Sequence, residues 1–163
     1  MEVSIRSAKM TDLEEIVEIE KACFPPAEAA ERETILERMT QFLENFFVAE
    51  IEGKLVGFIN GCTTDSEVIF DEMFHDTKHH VKTGRYMAIF GLDVMSENRR
   101  KGIAEQLIKT FLNHAREESK IGVSLTCKET LITYYEKFGF KNKGVSDSVH
   151  GGAVWYDMMC DLN

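Results

Sequence analysis

The sequence predicts an α+β protein with three layers, in which helices cover both faces of a mixed, mostly antiparallel β-sheet. Two observations predict this class. Strand-like and helix-like patterns follow one another in the order β-α-α-β-β-β-α-β-α-β-β, which is not the regular alternation of a purely parallel sheet. Two neighbouring strand-like runs are joined by a short glycine turn, which is typical of an antiparallel hairpin.

The first quarter of the chain predicts one strand and two helices. Val3 to Arg6 alternates as a strand does. Thr11 and Glu14 have the spacing of a capping box, and an apolar stripe at helical spacing continues from there. Cys23-Phe24-Pro25-Pro26 ends this helix, because proline disfavours helical geometry in the residue before it. Glu28 to Glu44 then predicts a second amphipathic helix.

The middle of the chain predicts three strands and a long connection. Phe46 to Ile51 and Leu55 to Cys62 form the hairpin, with Glu52-Gly53-Lys54 as its turn. Thr64 to Gly84 is long for a loop in a compact domain; such segments are often lids or substrate loops, sometimes with a short helix of their own. Tyr86 to Val94 is the next strand.

The remainder alternates between helix and strand. A helix is predicted from about Arg100 to Glu117, and a strand from Ile121 to Thr126. Thr130 to Phe138 predicts the last helix, and Phe140 to Lys143 and Ala153 to Asp161 predict the last two strands.

Composition limits the classes of function. A length of 163 residues predicts one domain over 1–163, and a net charge of −9 disfavours general nucleic-acid binding. No apolar run reaches the length of a membrane span, and residues 1–6 lack a signal-peptide pattern. A cytoplasmic protein with four reduced thiols is therefore expected, and these belong to Cys23, Cys62, Cys127 and Cys160.

The run from Arg99 to Ala104 predicts a phosphate site. It connects the strand Tyr86 to Val94 to a helix, so the free N–H groups of the helix start point at one place. Cations at a helix N-terminus oppose the helix dipole, and stability alone would favour Asp or Glu there. Three adjacent cations in an acidic chain therefore indicate a bound anion.

Arg99-x-x-Gly102-x-Ala104 resembles the acetyl-CoA motif of the GCN5-related N-acetyltransferases (GNAT), and Tyr134-Tyr135-Glu136-Lys137-Phe138-Gly139-Phe140 resembles their C-terminal motif. Three further segments are similar to the arylalkylamine branch of that superfamily: Cys23 to Ala30, Leu55 to Gly61, and Leu125-Thr126-Cys127. The resemblance covers essentially the whole chain. It implies a central pair of parallel strands that splay apart, with acetyl-CoA as the cosubstrate.

The resemblance also implies roles on the donor side. Backbone N–H groups of Arg100, Lys101, Gly102, Ile103 and Ala104 would bind the pyrophosphate, with the Arg99 side chain as a further contact. Leu92 and Val94 would bind the pantetheine arm through their backbones, and the Leu92 N–H would stabilise the oxyanion. Tyr135 is the expected general acid for the departing thiolate, because a phenol is ordinarily protonated at neutral pH.

On the acceptor side the chain departs from the arylalkylamine branch. The two positions that carry histidines there are Ala88 and Phe90, and neither can accept a proton. Glu28 is the substitute candidate for binding or deprotonating an amine, against the alternative that it only stabilises a helix start. Phe24, Pro25, Ala88, Phe90 and Cys127 are expected to line the acceptor site, and further aromatic candidates are Phe70, Phe74 and Trp155.

His75, His79 and His80 form a histidine cluster in the long connection. Their spacing allows a metal site, but the flanking charged residues favour a solvated loop, so no metal is expected. Cys127 is expected to be a wall residue rather than a nucleophile, because no histidine lies near it in the sequence.

Three hypotheses of function follow. The first is transfer of acetyl from acetyl-CoA to a primary amine of a small molecule, such as an arylalkylamine, by direct attack in a ternary complex. The second changes the acceptor to a protein N-terminus or lysine, an aminoglycoside or a polyamine. The third is a CoA-binding module without catalysis. No nucleic-acid or membrane partner is expected, and a homodimer through the last strands is compatible with the fold.

Overall fold

The computed structural model describes residues 2–162, which form a seven-stranded sheet and five α-helices. The strands are β1 Ser4–Ser7, β2 Phe46–Ile51, β3 Lys54–Thr64, β4 Tyr86–Val94, β5 Gly122–Cys127, β6 Phe140–Val145 and β7 Tyr156–Asp161. The helices are α1 Leu13–Cys23, α2 Arg32–Phe42, α3 Asp71–His75, α4 Ile103–Glu117 and α5 Ile132–Glu136. Short 3₁₀ turns lie between several of them.

The sheet has the strand order β1-β2-β3-β4-β5-β7-β6 and is mixed. β1, β2 and β3 pair antiparallel, as do β5, β7 and β6. β3 and β4 also run antiparallel, because Val56 accepts a hydrogen bond from Met95 at one end while Thr64 lies against Gly84 at the other. β4 and β5 are parallel. The expected mixed and mostly antiparallel sheet with a parallel pair is confirmed.

The parallel pairing is short. It runs from Tyr86 opposite Gly122 to Ala88 opposite Ser124. Both strands continue beyond these residues, β4 to Val94 and β5 to Cys127. All of β5, in contrast, pairs with β7.

The chain forms two compact units, residues 2–61 with 91–111 and residues 62–90 with 112–162. The core of the first unit contains buried side chains of α1, α2, β2 and β3, among them Ile16, Met39, Phe42, Phe46 and Phe58. The core of the second contains Met87, Val123, Leu125, Phe140 and Met158. That residues 1–163 behave as one domain remains a prediction.

Two helix starts differ from the sequence expectation. The Thr11–Glu14 capping box is wrong: a 3₁₀ turn precedes α1, and the Asp12 carboxylate accepts the Lys9 backbone N–H at 2.8 Å. The second helix begins at Arg32 rather than Glu28, because the N–H groups of Glu28 and Ala29 both donate to the Pro25 carbonyl at 2.9 Å and form a turn instead.

Two properties of the described residues bear on function classes. No helix among them is long and apolar enough to cross a bilayer. Over the same residues, 2–162, no three His, Cys, Asp or Glu side chains are grouped as metal ligands would be.

Candidate functional site

The connection from β4 to α4 presents backbone N–H groups to solvent. After a 3₁₀ turn at Ser96–Asn98, Arg100 has φ +64° and Gly102 has φ +79°. Residues of alternating handedness turn successive N–H groups toward one point, which makes an anion-binding concavity. α4 therefore begins at Ile103 rather than at the expected Arg100.

Glycine is required at position 102 by its conformation. Its φ is positive, and a Cβ there would meet no described atom within 4 Å. Arg100, Lys101 and Gly102 are exposed, whereas Ile103 is buried and anchors the helix start. The loop thus combines two positive φ angles, three exposed cations (Arg99, Arg100 and Lys101) and a helix start anchored by a buried residue.

The Arg99 side chain turns back onto the strand. Its Nε donates to the Val94 carbonyl at 3.0 Å, and the Cys23 thiol donates to the same oxygen at 3.4 Å. Burial raises the pKa of the Cys23 thiol, and the nearby Arg99 partly opposes this shift. Arg99 therefore ties the end of β4 to the loop that follows it.

The β4 residues differ in exposure. Leu92 is half-buried and Val94 is buried. Ala88 has 0% exposure and pairs with Ser124 on β5. Phe90 is half-buried and lies 5.2 Å from the Phe74 ring. A substrate therefore has access to Phe90 but not to the Ala88 side chain in this conformation.

The segment 24–31, which connects α1 to α2, carries the predicted acceptor residues of the first unit. Phe24 and Glu28 are half-buried and Pro25 is exposed. The Pro25 turn places Glu28 outside any helix. Its carboxylate therefore does not stabilise a helix start through the helix dipole. The Ala30 N–H donates to Glu20 Oε2 at 2.8 Å, which fixes the end of the segment to α1.

The predicted general acid lies on the short helix α5 of the second unit. Tyr135 is half-buried, with its ring edge-on to Tyr134 at 5.4 Å and to Phe140 at 5.9 Å. Gly139, with φ +97°, turns the chain from α5 into β6. Packing on both sides fixes the ring plane of Tyr135.

Cys127 ends β5 and is 2% exposed. Burial raises the pKa of its thiol to about 11, so the thiol is protonated at neutral pH. A protonated thiol disfavours a nucleophile, since the thiolate is the reactive form. A wall role for Cys127 stays a prediction, because in this conformation its side chain is as inaccessible as that of Ala88.

The second unit also contains an aromatic cluster, which we define as Phe74, Phe90, His150 and Trp155. Phe74 stacks on His150 at 5.1 Å, and the Trp155 ring lies 6.1 Å from His150. Lys128 Nζ is 5.6 Å from the centre of the Trp155 ring. Such a half-buried aromatic surface suits an apolar or aromatic group.

A carboxylate holds the aromatic cluster in place. Asp71, the first residue of α3, accepts hydrogen bonds from the Ser148 hydroxyl and from the Val149 N–H, the latter at 3.1 Å. The Trp155 indole N–H donates to the His150 carbonyl at 2.8 Å. We call the Asp71–Ser148–Val149 contact the clasp, because it joins the long connection to the chain before β7.

Sequence reasoning found Phe74, Phe90 and Trp155 but missed His150, Lys128 and Asp71. His150 follows Val149 and precedes two glycines, and nothing local marks it. The three predicted loop histidines separate: His75 is 6.1 Å from His150, His79 packs edge-on to Phe70, and His80 Nδ1 accepts the Thr63 N–H.

Comparison with known proteins shows which family has this fold and these motifs. A family model described as "Acetyltransferase (GNAT) family" matches residues 13–140, well over half of the chain. The chain therefore belongs to the GNAT acetyltransferase family, as the two motifs predicted.

Relatives and solved structures agree with this assignment. Serotonin N-acetyltransferase of Mesocricetus auratus is 30% identical over 112 residues, which are 68% of this chain and 53% of that protein. An N-alpha-acetyltransferase of Sulfurisphaera tokodaii is 28% identical over 145 residues, 86% of this chain and 81% of that protein. The chain spans about half the length, or less, of the first curated relatives that it matches.

The fold is shared with a GNAT-like decarboxylase, GphF, whose structure was solved in complex with isobutyryl-CoA. The TM-score is 0.86 at 17% identity, over 98% of this chain and 100% of the other. At this identity the likeness concerns the fold alone.

Proposed function

We propose that this protein transfers acetyl from acetyl-CoA to a primary amine of a small molecule, by direct attack of the amine in a ternary complex. The observation that carries the proposal is the loop 99–104, which combines two positive φ angles, a helix start and three exposed cations, Arg99, Arg100 and Lys101. Together these features favour an anion site. Family membership supports acetyl-CoA as the anion, since its pyrophosphate fits such a site.

The proposed roles of the residues on the donor side are as follows. N–H groups from Arg100 to Ala104 bind the pyrophosphate, and Leu92 and Val94 bind the pantetheine arm through their backbones. The Leu92 N–H polarises the thioester carbonyl. The C–N bond forms as the C–S bond breaks, and the Tyr135 phenol donates its proton to the departing thiolate.

The acceptor side is proposed from Phe24, Pro25 and Glu28 of the segment 24–31. The Glu28 carboxylate would bind the ammonium group or take its proton, because Ala88 and Phe90 supply no base. The half-buried rings of Phe74, Phe90 and Trp155 favour an amine that carries an apolar or aromatic group. The similarity to a protein named serotonin N-acetyltransferase supports this choice of acceptor.

Thiol release from acetyl-CoA tests the proposal with a panel of acceptors: 2-phenylethylamine, a linear alkylamine, spermidine and a peptide with a free N-terminus. We expect the arylalkylamine to give the highest kcat/KM and initial-rate plots that intersect, as a ternary complex requires. Parallel plots would indicate a covalent intermediate instead. If the protein binds acetyl-CoA but no amine of the panel causes release of the CoA thiol, the third hypothesis, a CoA-binding module, is favoured.

Glu28→Gln tests the acceptor carboxylate. We expect the KM for 2-phenylethylamine to rise about tenfold or the pH–rate profile to move, with acetyl-CoA binding unchanged. Glu33→Gln, an acidic residue in the first turn of α2, is the matched control. If Glu28→Gln and Glu33→Gln have the same profile as the unmodified enzyme, Glu28 has no part in acceptor binding.

A peptide or protein N-terminus is the second candidate acceptor. It is favoured by the similarity to a protein named N-alpha-acetyltransferase, of which this chain covers 81%. The peptide arm of the same panel decides between the two acceptors.

Homodimer formation and a cytoplasmic location remain predictions. β6 is the edge strand of the sheet beyond β7, and five of its six residues are exposed, which leaves a strand edge available for pairing. Light scattering of the purified protein and cell fractionation test the two predictions separately.

A further inference from the structure

A buried polar cluster lies in the first unit, outside the loop 99–104. It consists of Glu20 on α1, Arg38 on α2, Asn60 on β3 and Asp93 on β4, which are 7%, 6%, 2% and 1% exposed. Buried carboxyl groups are rare unless they are paired, so two of them in one cluster require an explanation.

Neither carboxylate oxygen of Asp93 has a hydrogen-bond donor among the described residues. The Glu20 and Asp93 carboxyl groups both lie within 4 Å of the position that a Cβ would take at Gly91. A hydrogen bond between two carboxyl groups exists only when one of them carries a proton. Burial, followed by the Glu20 charge, raises the pKa of Asp93 well above its ordinary value. The other groups that face Asp93 are Cys23 from α1, Arg38 from α2 and the Asn60 amide from β3.

Gly91 permits this arrangement. A Cβ at position 91 would lie 3.2 Å from Asp93 Oδ1, 3.3 Å from Asn60 Nδ2 and 3.9 Å from Glu20 Oε1. A larger residue would be tight against Asp93 and Asn60 and in ordinary contact with Glu20.

Glu20 connects the cluster to the acceptor residues. Its Oε2 accepts the Ala30 N–H at 2.8 Å, and Ala30 belongs to the segment 24–31 that carries Phe24, Pro25 and Glu28. A protonated Asp93 would donate to Glu20 and hold this carboxylate in the orientation that receives Ala30. An ionised Asp93 could not donate, and it would repel Glu20 instead.

We propose that Asp93 and Glu20 share one proton, and that this proton holds the segment 24–31 in the conformation that binds the acceptor amine. The effect on amine binding rests on the proposed function, whereas the effect on the segment does not. Asp93 is in this sense a positioning residue, which acts through Glu20 and Ala30. Asn at position 93 can replace the protonated acid, because its amide donates at every pH.

Hydrogen–deuterium exchange of the segment 24–31, corrected for the intrinsic pH dependence of exchange, tests the proposal without any substrate. We expect Asp93→Ala to lower protection of the Ala30 amide at least tenfold at neutral pH, and Asp93→Asn to retain it. In the unmodified protein, protection should fall as the pH rises through the titration of Asp93, and this fall should be absent from Asp93→Asn. Glu18→Gln, an exposed residue of the same helix, is the matched control.

Kinetics supply a second measurement. The KM for 2-phenylethylamine should rise at least tenfold in Asp93→Ala, with the dissociation constant for acetyl-CoA unchanged, and Asp93→Asn should restore it. The proposal is overturned if Asp93→Asn loses protection as Asp93→Ala does, or if Asp93→Ala exchanges as the unmodified protein does. If no amine is acetylated but the exchange pattern holds, only the proposed function fails.

Discussion

Gly102 is the residue in which conformation and proposed function coincide most closely. Its φ of +79° is costly for any residue with a Cβ, by about 1 to 2 kcal/mol. We expect Gly102→Ala to lower stability by about this amount and to weaken acetyl-CoA binding at least tenfold, because the N–H groups of the loop would be turned away. Urea unfolding and calorimetric titration measure the two effects.

Gly53→Ala is the matched control for this change. Gly53 has φ +80° in the β2–β3 turn and, like Gly102, has no described atom within 4 Å of its Cβ position. The stability loss should therefore be similar, with acetyl-CoA affinity unchanged. Equal affinities of the two variants for acetyl-CoA would contradict the assignment of the phosphate site.

Tyr135 is a residue whose role depends on one oxygen atom. Tyr135→Phe keeps the ring contacts with Tyr134 and Phe140 and removes only the phenolic hydroxyl group. We expect kcat to fall by about 10²-fold or more, with acetyl-CoA affinity unchanged. Tyr134→Phe on the same helix should leave kcat within a fewfold, and a reversed order would assign the acid to Tyr134.

At the residue scale, the sequence predicted the features that depend on a short motif. The Arg99 to Ala104 run predicted a turn from a strand into a helix, and the structure has that turn between β4 and α4. The phosphate site at this turn stays a prediction. The sequence could not predict the clasp, because Asp71 and Ser148 are 77 positions apart and neither residue is unusual in its own surroundings. Nor did alternation along β4 predict that Asp93 would be buried opposite Glu20.

At the element scale, the clasp determines how firmly α3 is attached to the chain before β7. Asp71→Asn replaces an acceptor of the Val149 N–H by a group that can also be a donor. Hydrogen bonds to charged groups contribute about 1.5 to 3 kcal/mol, so we expect local protection of residues 146–150 to fall by a comparable amount. Hydrogen exchange of that segment measures the loss.

Glu72→Gln is the control for the clasp, since Glu72 is the next residue of α3 and is exposed. Its exchange pattern should match the unmodified protein. Unchanged exchange in Asp71→Asn would mean that packing of the aromatic cluster alone holds the two segments together.

Elements that local patterns define were predicted well. The bounds of β2 and β4 agree with the sequence expectation, since each is a mostly apolar run that ends at turn residues or shortly before the basic loop. The helices that were predicted to begin at Glu28 and at about Arg100 begin later in the structure, at Arg32 and Ile103. In each case backbone geometry before the helix, the Pro25 turn or the positive φ at Arg100 and Gly102, overrides helix propensity.

At the scale of the whole molecule, stability should depend on pH through Asp12. This carboxylate, 6% exposed, accepts two hydrogen bonds from Arg6, at 2.9 and 3.0 Å, and one from the Lys9 N–H. The Arg6 hydrogen bonds lower the pKa of Asp12. The contribution to stability is therefore complete above the unfolded pKa, about 3.9, and is lost as the pH falls through the lower folded pKa.

Asp12→Asn should thus be less stable than the unmodified protein at pH 7, by about 1.5 to 3 kcal/mol, and the difference should shrink as the pH falls below the unfolded pKa of about 3.9 and through the lower folded pKa. Urea unfolding at a series of pH values measures it. Asp65→Asn, which removes an exposed ion pair with Arg85, should change stability much less. A difference for Asp12→Asn that is constant with pH would contradict the assignment.

The strand order determines when the second unit can finish folding. β7 is last in the sequence but pairs with β5 on one side and with β6 on the other. Until residues 156–161 have been synthesised, β5 therefore has an unpaired edge and β6 has no neighbour. A growing chain would expose these edges to other nascent chains, so the last strand protects the protein from aggregation as well as completing its sheet.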